Sequence, residues 1–225
     1  MRRITLHHGP TGFFFIIVSQ EGERTMIGTR GANAKLRITA PTLRRERPNW
    51  FHLSGYSLLG EQGPALLAEV KSVSKALHAR LSIDLEGISE SRLRPDVRGA
   101  ELLCNRTEYD DYFHAEMREV AASHPGPIVV KAGADGCYLI SNCKVRHIQT
   151  TKVEVRDTTG AGDAFNAGFV AARMMGGGLV AACTAGNLLG SEKVNHEGAR
   201  LKLTRASIAE ARLLGNSQAT RRPDY

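Results

Sequence analysis

The sequence has few of the features that mark exported, zinc-binding or membrane-spanning proteins. Only four of the 225 residues are cysteines, and because none of them forms a CxxC pair, neither a zinc site nor a disulfide framework is indicated. The longest strongly apolar run near the start, Phe13 to Val18, is too short to cross a bilayer and lacks the layout of a signal peptide. These absences predict a cytoplasmic protein without a membrane partner.

The charged residues form no pattern that identifies a partner on its own. The formal net charge of +7 suits an anionic ligand such as a nucleotide, and it suits nucleic acid or no specific partner equally. Because the basic residues are scattered, without interleaved aromatic residues or zinc-finger spacing, we predict no nucleic-acid partner. The eight histidines have no metal-binding spacing, and we assign them no chemistry.

Strand-like stretches alternate with helical patterns through the middle of the chain. The predicted strands are Trp50–Leu53, Leu81–Leu85, Leu102–Cys104 and Pro127–Lys131, the predicted hairpins lie within 13–28 and 137–148, and the predicted helices are Pro64–Ala79, Glu108–Ala122, Gly162–Met175 and Leu179–Leu189. This alternation predicts an α/β fold with a mostly parallel sheet covered by helices on both faces, in which ligands favour the carboxyl ends of the strands. We expect one domain over residues 1–225, with residues 11–34 partly forming a lid-like hairpin and residues 216–225 a frayed tail.

The segment from Asp157 to Phe165, DTTGAGDAF, places two glycines and an acid where an apolar helical pattern begins. Amide groups at a helix N-terminus have no intrahelical partner and carry the positive end of the helix dipole, so they can hold phosphate oxygens, and Gly160 and Gly162 allow close approach. Asp163 could accept a proton from an alcohol that attacks a terminal phosphate. Residue types alone leave a second interpretation open, in which Asp163 only caps the helix and the glycines only form a turn.

The same segment is similar to the C-terminal signature of the PfkB, or ribokinase-like, carbohydrate kinases. Residues 11–12 with 31–33, and residues 52–56, resemble earlier strands of that family, so the resemblance covers residues 11–199. It implies a three-layer α/β/α fold with the remnant of a small β lid. It also implies that ATP phosphorylates a hydroxyl group of a small sugar or sugar acid. In that reaction Gly160, Ala161, Gly162 and Asp163 form an anion hole, and Asp163 is the catalytic base.

The resemblance also implies roles for residues outside this segment. Asn105 and Glu108 match an NxxE motif whose acid helps to organise magnesium and phosphate, often through water, although a helix cap would explain the pair as well. Lys131, Gly133 and Gly136 match a glycine loop on the nucleotide side, and a plain hairpin turn is the alternative.

Further positions of the resemblance concern the nucleotide and a monovalent cation. Thr158 is implied as a nucleotide-binding residue, and Asn187, eleven positions before Gly198, is implied as an adenine contact. Asp157 and Thr159 match positions that in many relatives place oxygens near a monovalent cation, so the implied cofactors are ATP, magnesium and, as a further candidate, potassium. Residues 158–160 resemble sugar kinases more than nucleoside kinases.

The chain departs from the family pattern at its start. Family members begin with a longer segment whose first strands carry paired glycines, an Asn and an Asp that bind sugar hydroxyls, and residues 1–10 are too short to supply it. We therefore expect missing N-terminal strands, an incomplete acceptor pocket and uncovered apolar surface, which would favour self-association, for instance as a homodimer. A noncatalytic nucleotide-binding or interaction protein, or a nucleoside kinase, are the alternative functions.

Overall fold

The computed structural model describes residues 9–18, 24–36, 38–59, 62–88 and 95–201. Its first element is an antiparallel hairpin of β1 (Thr11–Val18) and β2 (Arg24–Gly31), close to the predicted hairpin. The connection from β1 to β2 lies outside the described residues. The predicted frayed tail, residues 216–225, lies outside them as well.

The remaining strands form a six-stranded sheet in sequential order. Its strands are β3 (Trp50–Ser54), β4 (Arg80–Asp84), β5 (Glu101–Asn105), β6 (Ile128–Lys131), β7 (Cys137–Ser141) and β8 (Lys144–Ile148). β3 to β6 run parallel to one another, whereas β7 and β8 pair antiparallel after β6. The predicted mostly parallel sheet is therefore confirmed.

Six α-helices accompany the sheet in the described part of the chain. They are α1 (Ala40–Glu46), α2 (Gly63–Leu77), α3 (Arg106–Phe113), α4 (Met117–Ser123), α5 (Ala161–Met174) and α6 (Leu179–Val194). The prediction of one helix over 108–122 was wrong, because His114 adopts a left-handed conformation with φ 49° and ends α3. Helix α1, which begins with Pro41 in its first turn, was not predicted.

Alternate residues of the central strands enter two separate hydrophobic clusters. Leu102 and Cys104 pack on the side of α2, α3 and α4, whereas Leu103 between them packs on the side of α5 and α6. β6 divides in the same way, since Val129 lies on the face opposite to Ile128 and Val130. Because successive side chains of a strand point to opposite faces, the sheet is covered by helices on both sides, which confirms the predicted three layers.

Two close contacts fix α5 against α6. A Cβ atom added to Gly168 would lie 2.5 Å from the carbonyl oxygen of Ala185, and one added to Gly186 would lie 2.9 Å from the ring of Phe165. Phe165 and Phe169 are buried between these helices and the sheet. The N-terminus of α5, where the DTTGAGDAF motif lies, is therefore held in a fixed position.

The hairpin of β1 and β2 has apolar side chains on both of its faces. Phe13, Phe14, Phe15, Ile16, Ile17 and Ile27 are each more than half exposed. Since Phe13 and Phe15 share one face and Phe14 and Ile16 the other, neither face is covered by the described residues.

None of the helices in the described part of the chain has the length and apolarity needed to span a bilayer.

Candidate active site

Polar residues end four neighbouring parallel strands and meet at one edge of the sheet. Ser54, Asp84, Asn105 and Lys131 are the last residues of β3, β4, β5 and β6. In the strand register Ser54 lies beside Asp84, and Asn105 lies beside Lys131. Because ligands of open α/β sheets bind at the carboxyl ends of the strands, this edge is the candidate site.

The N-terminus of α5 begins with a left-handed glycine. Gly160 has a φ of 80°, and a Cβ atom there would come within 2.4 Å of the carbonyl oxygen of Ala199, so no other residue fits without a shift. The amide of Ala164 donates to the carbonyl of Gly160 at 2.9 Å and opens the helical hydrogen-bond series. The amides of Gly162 and Asp163 precede this bond, and Asp163 is exposed in the first turn. The predicted anion hole therefore has an accessible backbone.

Lys131 connects the sheet edge to this helix start. A Cβ atom added to Gly162 would lie 3.5 Å from Lys131 Nζ, so the ammonium group is adjacent to the predicted anion hole. The structure thus brings Lys131, predicted only as part of a glycine loop, next to the DTTGAGDAF motif. A positive charge beside free amide groups strengthens a site for an anion.

Asp84 and Asn166 hold Lys131 in place, and neither residue was predicted from the sequence. Lys131 Nζ donates to Asp84 Oδ2 at 2.8 Å and to Asn166 Oδ1 at 3.4 Å, while Asn166 Nδ2 also donates to Asp84 Oδ2. Asp84 is 2% exposed and Asn166 4% exposed. Burial on its own lowers the pKa of Lys131, but the charge and hydrogen bond of Asp84 outweigh it, so the pKa is raised and the ammonium form is stabilised.

Glu86 adds a second carboxyl group to the same edge. Its backbone amide donates to Asp84 Oδ1 at 3.2 Å, and Ser54 Oγ donates to Glu86 Oε1 at 2.7 Å. Partial burial raises the pKa of Glu86, the hydrogen bond from Ser54 opposes this effect, and the charges of Asp84 and Asp163 add to it. The charge of Asp163 therefore acts on Glu86, two residues after the end of β4.

Replacing Glu86 with Gln is expected to stabilise the protein at neutral pH and to have less effect in acid. A carboxyl group whose pKa is raised by folding holds its proton longer in the folded state, so its stabilising contribution is lost as pH rises above about 4.5, the ordinary value. Gln keeps the acceptor for Ser54 but carries no charge. Thermal unfolding of the wild type and of Glu86→Gln from pH 4 to 8 should give a melting-temperature difference that grows with pH. A difference that stays constant over this range would contradict the raised pKa of Glu86.

Asn105 and Glu108 form a complete capping box at the start of α3. Asn105 Oδ1 accepts from the amide of Glu108 at 2.8 Å, and Glu108 Oε2 accepts from the amide of Asn105 at 2.8 Å. The helix-cap interpretation of this pair therefore has a direct structural basis. Since the box sits at the carboxyl end of β5, it also lies at the candidate site, and the charge of Glu108 contributes to the raised pKa of Lys131.

A magnesium site made by protein side chains alone does not occur in the part of the chain that the structure describes. No group of three or more His, Cys, Asp or Glu side chains there could hold a metal ion. Magnesium in nucleotide sites is commonly held by one or two carboxylates together with substrate phosphates. Glu108 fits that mode of binding, because it is an acid fixed at the edge where the anion-binding amides and Lys131 lie.

The remaining predicted nucleotide contacts lie in turns and on α6. Gly133 is exposed in a 3₁₀ turn that links β6 to β7 as a hairpin, and Gly136 packs so tightly that a Cβ atom would lie 2.2 Å from the carbonyl oxygen of Ile148. Thr158 accepts from the amide of Ala161 through its carbonyl at 3.1 Å. Asn187 is 6% exposed and donates through Nδ2 to the carbonyl of Ile148 at 3.0 Å, so its amide nitrogen holds α6 against β8. Their contacts with a nucleotide stay predictions.

One of the two predicted potassium residues, Asp157, contacts a lysine ammonium group. Asp157 Oδ1 accepts from the amide of Thr159 at 2.8 Å, so these two residues are joined by a local turn. The backbone carbonyl of Asp157 accepts from Lys193 Nζ at 3.0 Å. Lys193 is fully buried and was not identified from the sequence. A potassium ion does not fit beside Asp157 in this arrangement, because the ammonium group already occupies the position facing its carbonyl oxygen.

The fold and the site together define an α/β protein that places an anion-binding helix start at the carboxyl edge of a mostly parallel sheet. The chain belongs to the pfkB family of carbohydrate kinases, since the model of that family matches residues 3–206. The family predicted from the motif is therefore confirmed.

Individual relatives agree with this assignment. An uncharacterized sugar kinase of Archaeoglobus fulgidus is 34% identical over 108 residues, which cover 46% of this chain and 43% of the relative. An ATP-dependent ribose-1-phosphate kinase of Halopiger xanaduensis is 27% identical over 208 residues, covering 89% of this chain and 67% of the relative. The chain thus spans less than half of the first relative and about two thirds of the second.

A solved structure from Escherichia coli has the same fold. This protein, designated ribokinase II and solved in complex with ATP and Mg²⁺, superposes with a TM-score of 0.74 at 22% identity, over 93% of this chain and 72% of the other. At that level of identity the likeness establishes the ribokinase-like fold.

Proposed function

We propose that this protein transfers the terminal phosphoryl group of ATP to a hydroxyl group of a small sugar or sugar acid. The observation that carries the proposal is the meeting of the α5 N-terminus with Lys131 at the sheet edge. Free amides at Gly162 and Asp163, a neighbouring ammonium group and an exposed acid in the first helical turn supply what phosphoryl transfer requires, which is mostly positioning and charge neutralisation.

In this proposal one set of groups binds the transferred phosphoryl group, and the side chain of Asp163 acts on the attacking hydroxyl group. The backbone from Gly160 to Asp163 and the ammonium of Lys131 neutralise the charge that develops on the transferred phosphoryl oxygens. The carboxylate of Asp163 accepts the proton of the attacking hydroxyl group, because it stands exposed at the same helix start. Asp84 and Asn166 act as positioning residues, since they fix Lys131 and do not themselves face the opening.

The nucleotide is proposed to lie along the turn after β6, the residues just before α5 and the middle of α6. Gly133 in the exposed turn, Gly136 beside it, Thr158 and Asn187 are the proposed contacts on this side. Asn105 and Glu108 are proposed to face the phosphates, where Glu108 would hold magnesium through water. Magnesium held there would supply positive charge that offsets the charge of the phosphates.

The acceptor is proposed to be a sugar. The relatives named above are a sugar kinase and a ribose-1-phosphate kinase, and residues 158–160 resemble sugar kinases more than nucleoside kinases.

We further propose that residues 1–225 act as one domain and that the β1–β2 hairpin serves as its lid. Arg30, near the base of that hairpin, donates to the carbonyl of Leu59 at 3.1 Å and so ties it to the segment after β3.

A sugar-dependent ADP-release assay tests the proposed function. The protein is incubated with ATP and magnesium and with single members of a panel of pentoses, hexoses, sugar acids and nucleosides. We expect ADP release that depends on at least one sugar or sugar acid and stays at the ATP-only rate with nucleosides. ATP binding without transfer to any member of the panel would support a noncatalytic nucleotide-binding protein and refute the kinase.

A further inference from the structure

Lys193 places a buried positive charge behind the start of α5. Its side chain is fully buried near the end of α6, and Nζ donates to the carbonyl oxygens of Asp157 and His196 at 3.0 Å each. Both acceptors recorded among the described residues are backbone carbonyls. Burying an ammonium group is costly unless polar atoms replace its water, and these two carbonyl oxygens offset part of that cost.

The ammonium group lies where three segments of the chain are joined. The amides of Arg156 and Asp157 donate to the carbonyl of Val194 at 2.8 and 3.2 Å, which fixes the motif loop to the end of α6. Asp157 Oδ2 accepts from the amide of Gly198 at 2.9 Å, which fixes the following loop. The carbonyl of Ala199 in that loop packs against Gly160 at the start of α5. A cation at this joint therefore controls the geometry of the proposed anion hole.

Backbone carbonyl oxygens that converge on one point are the ligands that a monovalent cation uses in place of its water. Here that point is occupied by a lysine ammonium, which carries the same single charge and offers three donors on a tether. A free ion cannot approach the carbonyls of Asp157 and His196 while Lys193 Nζ holds them.

We infer that Lys193 serves as a built-in monovalent cation, which makes this protein independent of potassium and keeps the α5 N-terminus in position for the phosphates. Lys193 is a positioning residue, since it acts through the loop from Asp157 to Gly160. The inference rests on the proposed function only where activity is measured, and nucleotide binding and stability test it separately.

The experiment compares potassium with tetramethylammonium, a cation too large for the site. The wild type is measured in each of the two chloride salts at about 0.1 M. Its ATP affinity should differ by less than about twofold between the salts, and its melting temperature by less than about 1 °C. Lys193→Ala removes the charge and leaves space, so ATP affinity should fall about tenfold in tetramethylammonium and recover at least about fivefold in potassium. Its melting temperature should rise with potassium, because a ligand of the folded state stabilises it.

Two further variants separate a cation from a packing group. Lys193→Met removes the charge but fills the space, so its ATP affinity should fall as in Lys193→Ala without recovery in potassium. Lys144→Met replaces an exposed lysine on β8 and should behave as the wild type in both salts.

The wild type alone is decisive if the variants fail to fold. A strong gain of wild-type ATP affinity or melting temperature in potassium would overturn the inference, and so would an equal loss for Lys193→Ala in both salts. If the expected cation pattern appears but no acceptor stimulates ADP release, the proposed kinase fails while the role of Lys193 stands.

Discussion

Replacing Asp163 with Asn is expected to lower the turnover of phosphoryl transfer by about two to four powers of ten while leaving ATP affinity nearly unchanged. Asn has almost the same size as Asp and keeps a polar group at the start of α5, but it cannot accept the hydroxyl proton. Because the backbone amides that hold the phosphates do not depend on this side chain, binding should survive. Single-turnover ADP release and ATP titration by calorimetry measure the two effects separately.

The matched control for this substitution is Glu119→Gln. Glu119 is also an exposed acid in the first turn of a helix, α4, and it has no place in the proposed site. The control should keep the turnover of the wild type. Unchanged turnover in Asp163→Asn would remove Asp163 from the mechanism, and a parallel loss of ATP binding would assign it to the nucleotide instead.

Replacing Asp84 with Ala is expected to lower the free energy of unfolding by about 3–5 kcal/mol, because the ammonium group of Lys131, whose side chain is only 14% exposed, then loses the buried carboxylate that pairs with it. The loss should be much larger than for an exposed ion pair. Asp110→Ala, which breaks the exposed pair of Arg106 and Asp110 on α3, is the control and should cost at most about 1 kcal/mol. Urea unfolding of each variant gives the comparison.

A second substitution, added to Asp84→Ala, shows whether the unpaired charge of Lys131 causes the loss in the free energy of unfolding. Adding Lys131→Met to Asp84→Ala removes the unpaired ammonium, so the double variant should recover a large part of the lost stability. If the double variant is as unstable as the sum of the single changes, the two residues do not interact energetically. ATP affinity should remain low in the double variant in either case, because Lys131 lies beside Gly162.

Much of the sheet could be predicted because its strands are short apolar runs between helical patterns. Every predicted strand from Trp50 to Ile148 is present, and both helices after the motif begin within one residue of the prediction. The break between α3 and α4 was not predicted, since a histidine adopts the left-handed conformation too seldom for its presence to mark a helix end. Helix α1 was missed because its basic, proline-marked segment has little apolar periodicity.

The motif located the helix start of the candidate site but not the residues that support it. Asp84 ends an apolar strand and Asn166 lies in an apolar helix, so each is polar against its own local pattern. A buried polar residue in such a position signals a partner, but the partner comes from an element distant in sequence. Lys193 follows Glu192 near a helix end, where a lysine is ordinarily a solvated surface group, and only the tertiary structure reveals its burial.

The capping box at the start of α3 means that Glu108 is preorganised. Its carboxylate is fixed to the backbone of Asn105 when the helix folds, so the entropy of ordering that side chain is lost in folding and not on ligand binding. A cation arriving with the phosphates would meet an oxygen already oriented at the sheet edge. For the same reason, a change at Asn105 would loosen the first turn of α3 and, if the proposed magnesium site exists, would also weaken it.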